Sequence, residues 1–229
     1  MKPRHDIYSA IHKAMRGSLC DNLIKLGQTD YTQPAQLHLC LTALTEIITV
    51  CEQHIQHENN FVHPALVCLP AVDSLQTADQ HVEHQEAINE LRLLIHQLHI
   101  APASQRESLM QQLYRHFALF VADNLEHMAI EEGHNNQLLW AHYCDQQIIE
   151  MENQLVMSLT PQENHSYMSL MFRYFNQPER HQLLTNIRQH APAEVFDSVS
   201  AIARSVLPES EWQGLPLAAV TVPRAQGAA

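Results

Sequence analysis

Glycine is scarce, 5 in 229 residues, and the 11 prolines gather near segment ends, so long stretches run without a helix breaker. Leu, Ala, Gln, Glu and Met fill them, all straight-chain or small residues that cost little to order in a helix. Clusters of Lys and Arg are missing, and the formal charge is -12. A chain of that sign repels phosphate, which excludes nucleic acid and an anionic membrane surface as expected partners. No unbroken apolar run reaches the roughly 18 residues of a membrane span. The opening MKPRHDIYSAIHKAMR passes straight into a helical pattern without an apolar core or a small-residue cleavage site, so the expected location is cytoplasmic. The five cysteines, Cys20, Cys40, Cys51, Cys68 and Cys144, are odd in number and form no CxxC pair. They are expected as reduced, buried thiols, which excludes a disulfide frame and a sulfur-ligated zinc site.

What remains is helical periodicity. The spacing predicts four long helices: residues 6–26, with Tyr8, Met15, Leu19, Leu23 and Leu26 on one stripe and a stop at Gly27; 34–62, with Leu44, Ile47 and Cys51 inward; 75–99, with Ile88, Leu91, Ile95 and Leu98; and 105 into the 140s, with Leu113, Phe117 and Phe120, continuing as far as 159. Residues 64–74 read as a loop. The fold class is all-α, and four such helices joined by short loops bury their stripes best as an antiparallel bundle.

The polar members of these stripes carry the chemistry. His12 lies on the first stripe, His54 and Glu58 on the second, His81 and His84 on the third, and His127 and Glu131 on the fourth. Ionisable groups therefore face the interior of all four helices, where a charge is costly unless paired or bound to a metal. Their order repeats: His54 follows His12 by 42 positions and His127 follows His84 by 43, and each second member opens a His-x-x-x-Glu pair. Two such halves placed face to face predict two metal positions bridged by carboxylates. Imidazole with carboxylate and no thiolate suits iron, with manganese and zinc compatible.

The strings IHKAMR, HIQHENNFVHPAL, EHQEAINEL and HMAIEEGH, in that order over residues 5–150, resemble the hemerythrin-like (HHE cation-binding) family. The resemblance implies an up-down-up-down four-helix bundle around two non-haem iron ions, joined by an oxo or hydroxo bridge and two carboxylates. It implies His12, His54, His84 and His127 as nitrogen ligands, with His81 as a further one, and Glu58 and Glu131 as bridges. A protein of this kind binds or senses a small diatomic or peroxide ligand, O2, NO or peroxide. The alternatives are a di-iron oxidoreductase acting as ferroxidase, peroxidase or on NO, and a partner-binding regulatory protein in which the metal is structural.

The chain departs from the oxygen carriers of that family in two places. His81 and His84 are three apart rather than four, with Gln80 at the other position, and Glu132 sits five residues after His127 where the carriers have Asp. Glu131 is preferred over Glu132 because it repeats the His-x-x-x-Glu unit. An extra carboxylate there would favour ferroxidase-like or sensor chemistry. His57 and His63 are expected on the solvent side or in a loop, although a modest helix rotation would let His57 replace His54. The eight remaining histidines from His96 to His190 are expected to titrate in water, Met110, Met128, Met151 and Met157 to fill core, and Gly133 to mark a bulge or a tolerated weak spot. Residues 1–160 read as the metal-binding bundle. Residues 161–207 read as a helical extension resembling that of some bacterial hemerythrin-like proteins, with a surface suited to a homodimer or a protein partner. Residues 208–229 are expected as a mobile tail.

Overall fold

A computed structural model describes residues 4–69 and 76–215. Among these residues the secondary structure is helical throughout, with no strand. In chain order the helices are α1 (Ser9–Gln28), α2 (Pro34–Phe61), α3 (His63–Val67), α4 (Gln76–Ile100), α5 (Ala103–Ile130), a π turn (Glu131–Asn135), α6 (Asn136–His142), α7 (Asp145–Ser158), α8 (Pro161–Tyr174), α9 (Gln177–His190), α10 (Ala193–Val206) and α11 (Glu209–Gln213).

The long helices sit where the apolar periodicity puts them. Pro34 opens α2 at a position whose N–H would be unpaired in any case. α1 packs on α2 and α5, and α4 packs on the same two. Leu19, Leu41, Leu44, Ile48, Ile88, Leu91, Leu113, Phe117 and Phe120 are buried along these helices. α2 is long and apolar enough to cross a membrane, because an average over a window is less strict than an unbroken run. Its inward side chains Leu37, Leu41, Leu44, Ile47, Ile48 and Ile55 are buried in this fold, and so are its His54 and Glu58, which marks it as a core helix.

Several boundaries differ from the periodic reading. Gly27 lies inside α1 without a positive φ, and the helix ends instead where Thr29 turns to extended backbone. The segment read as a loop from residue 64 begins with α3, since Pro64 ends α2 yet suits the first turn of a new helix; the part at 70–75 lies outside the described residues. The fourth helix does not run to 159. It widens into the π turn, stops at Tyr143, and restarts after Cys144, whose backbone N–H donates to Gln147 Oε1 at 2.9 Å. Of the cysteines, Cys51 alone is buried, because the others fall on outward or edge positions of their helices. Met157 is also outward, at 85 % exposure, rather than core.

By contacts the chain divides into two compact units, Met1–Glu163 and Asn164–Ala229. In the first, a small apolar cluster of Ile7, Tyr8, Val62, Leu66, Leu69, Leu139 and Ile148 joins the N-terminal segment, α3, α6 and α7. Arg4 ties this end together, donating to Asp145 at 2.5 Å and to the Tyr143 carbonyl at 2.7 Å. The second unit has its own core of Phe172, Leu184, Val199, Ala203, Leu207 and Leu215. Within it Arg180 donates to the Phe172 carbonyl at 2.7 Å and pairs with Glu211. Asn176 and Glu179 form a capping box at the start of α9. The expected tail thus contributes α11 and buried Leu215, because Trp212 and Leu215 supply apolar cover for α9 and α10; residues 216–229 lie outside the described set.

Candidate metal centre

His12 is near the start of α1, His81 near the start of α4, His54 and Glu58 near the end of α2, and His127 near the end of α5, with Glu131 beginning the π turn. All six side chains are buried. They form two groups that share both carboxylates: His12, His54, Glu58 and Glu131, and His81, His127, Glu58 and Glu131, with every ligand atom of a group within 4.8 Å of the others.

The distances within each group are those of ligands around one ion. His12 Nε2 lies 3.0 Å from His54 Nε2, and His81 Nε2 lies 3.0 Å from His127 Nε2. Two nitrogens each about 2.1 Å from a metal and at right angles are about 3.0 Å apart. Glu58 turns one oxygen to each group: Oε1 is 3.2 Å from His54 Nε2, and Oε2 is 3.3 Å from His81 Nε2. Glu131 Oε2 reaches both groups, 3.4 Å from His12 Nε2 and 3.2 Å from His127 Nε2.

The other edge of each ring fixes what Nε2 can do. His81 Nδ1–H donates to Asn59 Oδ1 at 2.9 Å, and His127 Nδ1–H donates to Gln80 Oε1 at 3.0 Å. Amide oxygens only accept, so each Nδ1 carries a hydrogen and Nε2 is the atom left for a ligand, and the two Nε2 atoms face each other. His12 Nδ1 is held by Glu132 Oε1 at 3.2 Å, which is in turn paired with Arg16 at 2.6 Å. Three of the four rings therefore have an acceptor behind them, the usual support of a metal-bound imidazole.

Electrostatics agree. All four carboxylate oxygens of Glu58 and Glu131 are buried without a hydrogen-bond partner. Burial alone would neutralise Glu58, but the surrounding His54, His12 and His81 imidazoles hold its pKa well below the usual carboxylate value. Glu131 is pushed up by burial and by Glu58, yet the His127 and His63 rings win and keep it low. Burial opposes protonation of His12, but Glu132 and Glu58, with the charge of Glu131, raise its pKa to about 9. His54 is lowered to about 4, chiefly by burial. A proton can bridge one pair of rings, but it leaves carboxylate oxygens unsatisfied. A divalent cation in each group satisfies nitrogens and oxygens together, so the residues fit a pair of metal ions.

His84 belongs to neither group. Three residues past His81, it sits about 4.5 Å further along α4, with its ring 4.9 Å from that of His127 and 6.0 Å from Phe120. Its Nδ1 is buried without a partner, and burial, then His127 and His81, lowers its pKa to about 4. Glu132 is occupied by His12 and Arg16, so the fourth helix offers Glu131, not both, to the interior. His57 points instead to Glu163, 3.2 Å away. The eight histidines expected in water are exposed.

His63 corrects the expectation of a solvent-side residue: it is 5 % exposed and stacks on His81 at 4.6 Å with the ring planes 8° apart. α3 starts at His63 with Val62 alone between it and α2, and this first residue is buried; Pro64, read only as a terminator, conceals that. Tyr8 stacks on His12 at 5.4 Å. Burial and then the charges of Glu131 and Glu58 hold its hydroxyl pKa well above the usual value.

No protein-family profile matches the chain, and no curated protein matches it.

Proposed function

We propose that this protein is a hemerythrin-like, up-down-up-down four-helix bundle that holds two iron ions and binds or senses O2, NO or peroxide. The observation that carries the reading is the pair of buried groups sharing Glu58 and Glu131, whose four oxygens have no hydrogen-bond partner. The alternation of helix direction is supported by the placement of the ligands, which come from the starts of α1 and α4 and the ends of α2 and α5. A donor set of imidazole and carboxylate without thiolate favours iron over softer metals, with manganese and zinc compatible. When bound, paired iron supplies open coordination positions and electrons for a small ligand.

The chain's own residues do the rest. His12, His54, His81 and His127 offer Nε2 lone pairs, and Asn59, Gln80 and Glu132 keep three of those rings in the ligating tautomer. The apolar cluster around Tyr8, Val62 and Leu139 borders this end of the helices and limits water. Glu132 is engaged by Arg16, so the carboxylate that would favour ferroxidase-like chemistry is taken. That favours ligand binding over catalysis. The free thiols of Cys20, Cys40, Cys51, Cys68 and Cys144 support a reducing, cytoplasmic location.

The test is anaerobic titration of the apoprotein with Fe(II) followed by O2. Two irons per chain and a reversible oxygenated absorption band support the reading. Sustained O2 or peroxide consumption with turnover makes the protein an enzyme, and no metal uptake overturns the centre.

A further inference from the structure

Away from the buried groups, two further imidazoles meet on the surface. His38 lies in the second turn of α2 and His99 in the last turn of α4, and both are exposed. Their ring centres are 6.1 Å apart, with the planes at 63°. Two imidazoles on one ion, with bonds of about 2.1 Å, have ring centres about 4.6 Å apart at right angles and about 6.5 Å apart when opposite. The surface pair falls inside that range, as do the 5.1 and 4.7 Å of the buried pairs His12–His54 and His81–His127. Among the described residues neither surface ring makes a hydrogen bond or an ion pair, so nothing in the chain competes for its nitrogens.

The helices hold the two rings together by independent means. Arg92 on α4 donates to both oxygens of Glu52 on α2, at 2.7 Å each, and Gln85 donates to one of them at 2.9 Å. Seven residues make about two helical turns and fourteen about four, so His99, seven after Arg92, and His38, fourteen before Glu52, stay on the faces that this clamp turns towards each other. The pair is far from the centre. His38 precedes His54 by sixteen residues on α2, and His99 follows His81 by eighteen on α4, which is about 24 and 27 Å along the helices.

We infer that His38 and His99 form a separate surface site for a divalent transition-metal ion of the kind that imidazole selects: copper, nickel or zinc. Of these, Cu(II) binds most tightly. Two protein ligands leave the other positions to water or an incoming donor, so this ion exchanges with solvent while the buried groups keep theirs. The inference stands whether or not the buried groups carry metal.

The test adds Cu(II) carried by nitrilotriacetate to the full chain at about pH 8, where imidazole is ordinarily neutral. The chelator stays on the ion and keeps it out of the buried groups, since His12 and Glu131 have no exposed surface. The expected result is one chelate per chain, with two imidazole nitrogens in its electron paramagnetic resonance spectrum. His38→Ala and His99→Ala should each weaken binding by at least about 10-fold, because the second of two fixed ligands binds intramolecularly, and should leave one coordinated nitrogen. Both rings are exposed, so neither substitution opens a cavity, and His181→Ala, in the second unit, should change nothing. Binding unchanged in His38→Ala or in His99→Ala, or a wild-type spectrum with a single nitrogen, overturns the site.

Discussion

At the scale of single residues, the centre depends on which nitrogen carries a proton. His12 is pushed up to about 9, so in the metal-free chain at neutral pH it is protonated, whereas His54, lowered to about 4, is already neutral. A metal must displace the His12 proton. Uptake is therefore expected to release about one proton per chain below pH 9, and affinity to climb with pH until His12 is neutral near that value; a pH-indicator titration at several pH values checks both. Glu132 stands behind this ring. Glu132→Ala removes the acceptor at His12 Nδ1 and is expected to weaken metal binding by about 10–100-fold without touching a ligand, read by chelator competition. The same carboxyl is held at about 2 despite burial, by His12 and Arg16, below its ordinary 4.5. A lowered acid favours the folded state above its unfolded pKa. That contribution is complete above pH 4.5 and is lost as pH falls towards 2, so acid unfolding of the metal-free Glu132→Gln variant should show a shallower pH dependence in that window.

At the scale of elements, the π turn at Glu131–Asn135 matters most. It carries one residue more than an α-helical path needs, and turns of this kind recur at functional sites. Neither space nor backbone requires a glycine in it: a Cβ at Gly133 meets nothing within 4 Å, and no glycine among the described residues has positive φ. Gly133→Ala is expected to raise stability by up to about 1 kcal/mol, measured by thermal melting. Deleting Gly133 should do the opposite. It would turn everything beyond by about one residue's rotation, breaking the bonds of Asn136 to Asp6 at 2.9 Å and of Trp140 to the His5 carbonyl at 2.7 Å; faster metal loss at unchanged helix content would show it.

Much of this element level was legible beforehand. Stripes such as Ile88, Leu91, Ile95 and Leu98 have one period and one neighbour, and the repeated His-x-x-x-Glu unit on two of the helices marked where buried imidazoles and carboxylates cluster. His63 and α3 were not legible, because a new helix starts after Val62, and the five-residue step from Glu58 to His63 is not one that the period of α2 puts on the same face. The stop at Tyr143 was hidden for a similar reason. Residues on both sides favour helix, and the break is set by Arg4 gripping the Tyr143 and Trp140 carbonyls from 136 or more positions away.

At the scale of the whole molecule, each of the two units has its own apolar core. A chain ending at residue 163, the last of the first unit, is expected to fold and to keep the metal stoichiometry of the full chain; loss of metal by that truncation would show that the second unit supports the centre. Folding is what brings these imidazoles and carboxylates together, so metal ions at saturation should raise the melting temperature, by the equivalent of about 2.7 kcal/mol at a hundredfold excess over Kd.

The depth of the centre also sets a clock. His12 and Glu131 have no exposed surface at all, so no scavenger can grasp an ion while the chain keeps this shape. Departure must wait for a breathing motion of the helix ends. The rate of stripping by a strong chelator should therefore level off as chelator is added, and the plateau would report how often the protein opens rather than how hungry the chelator is.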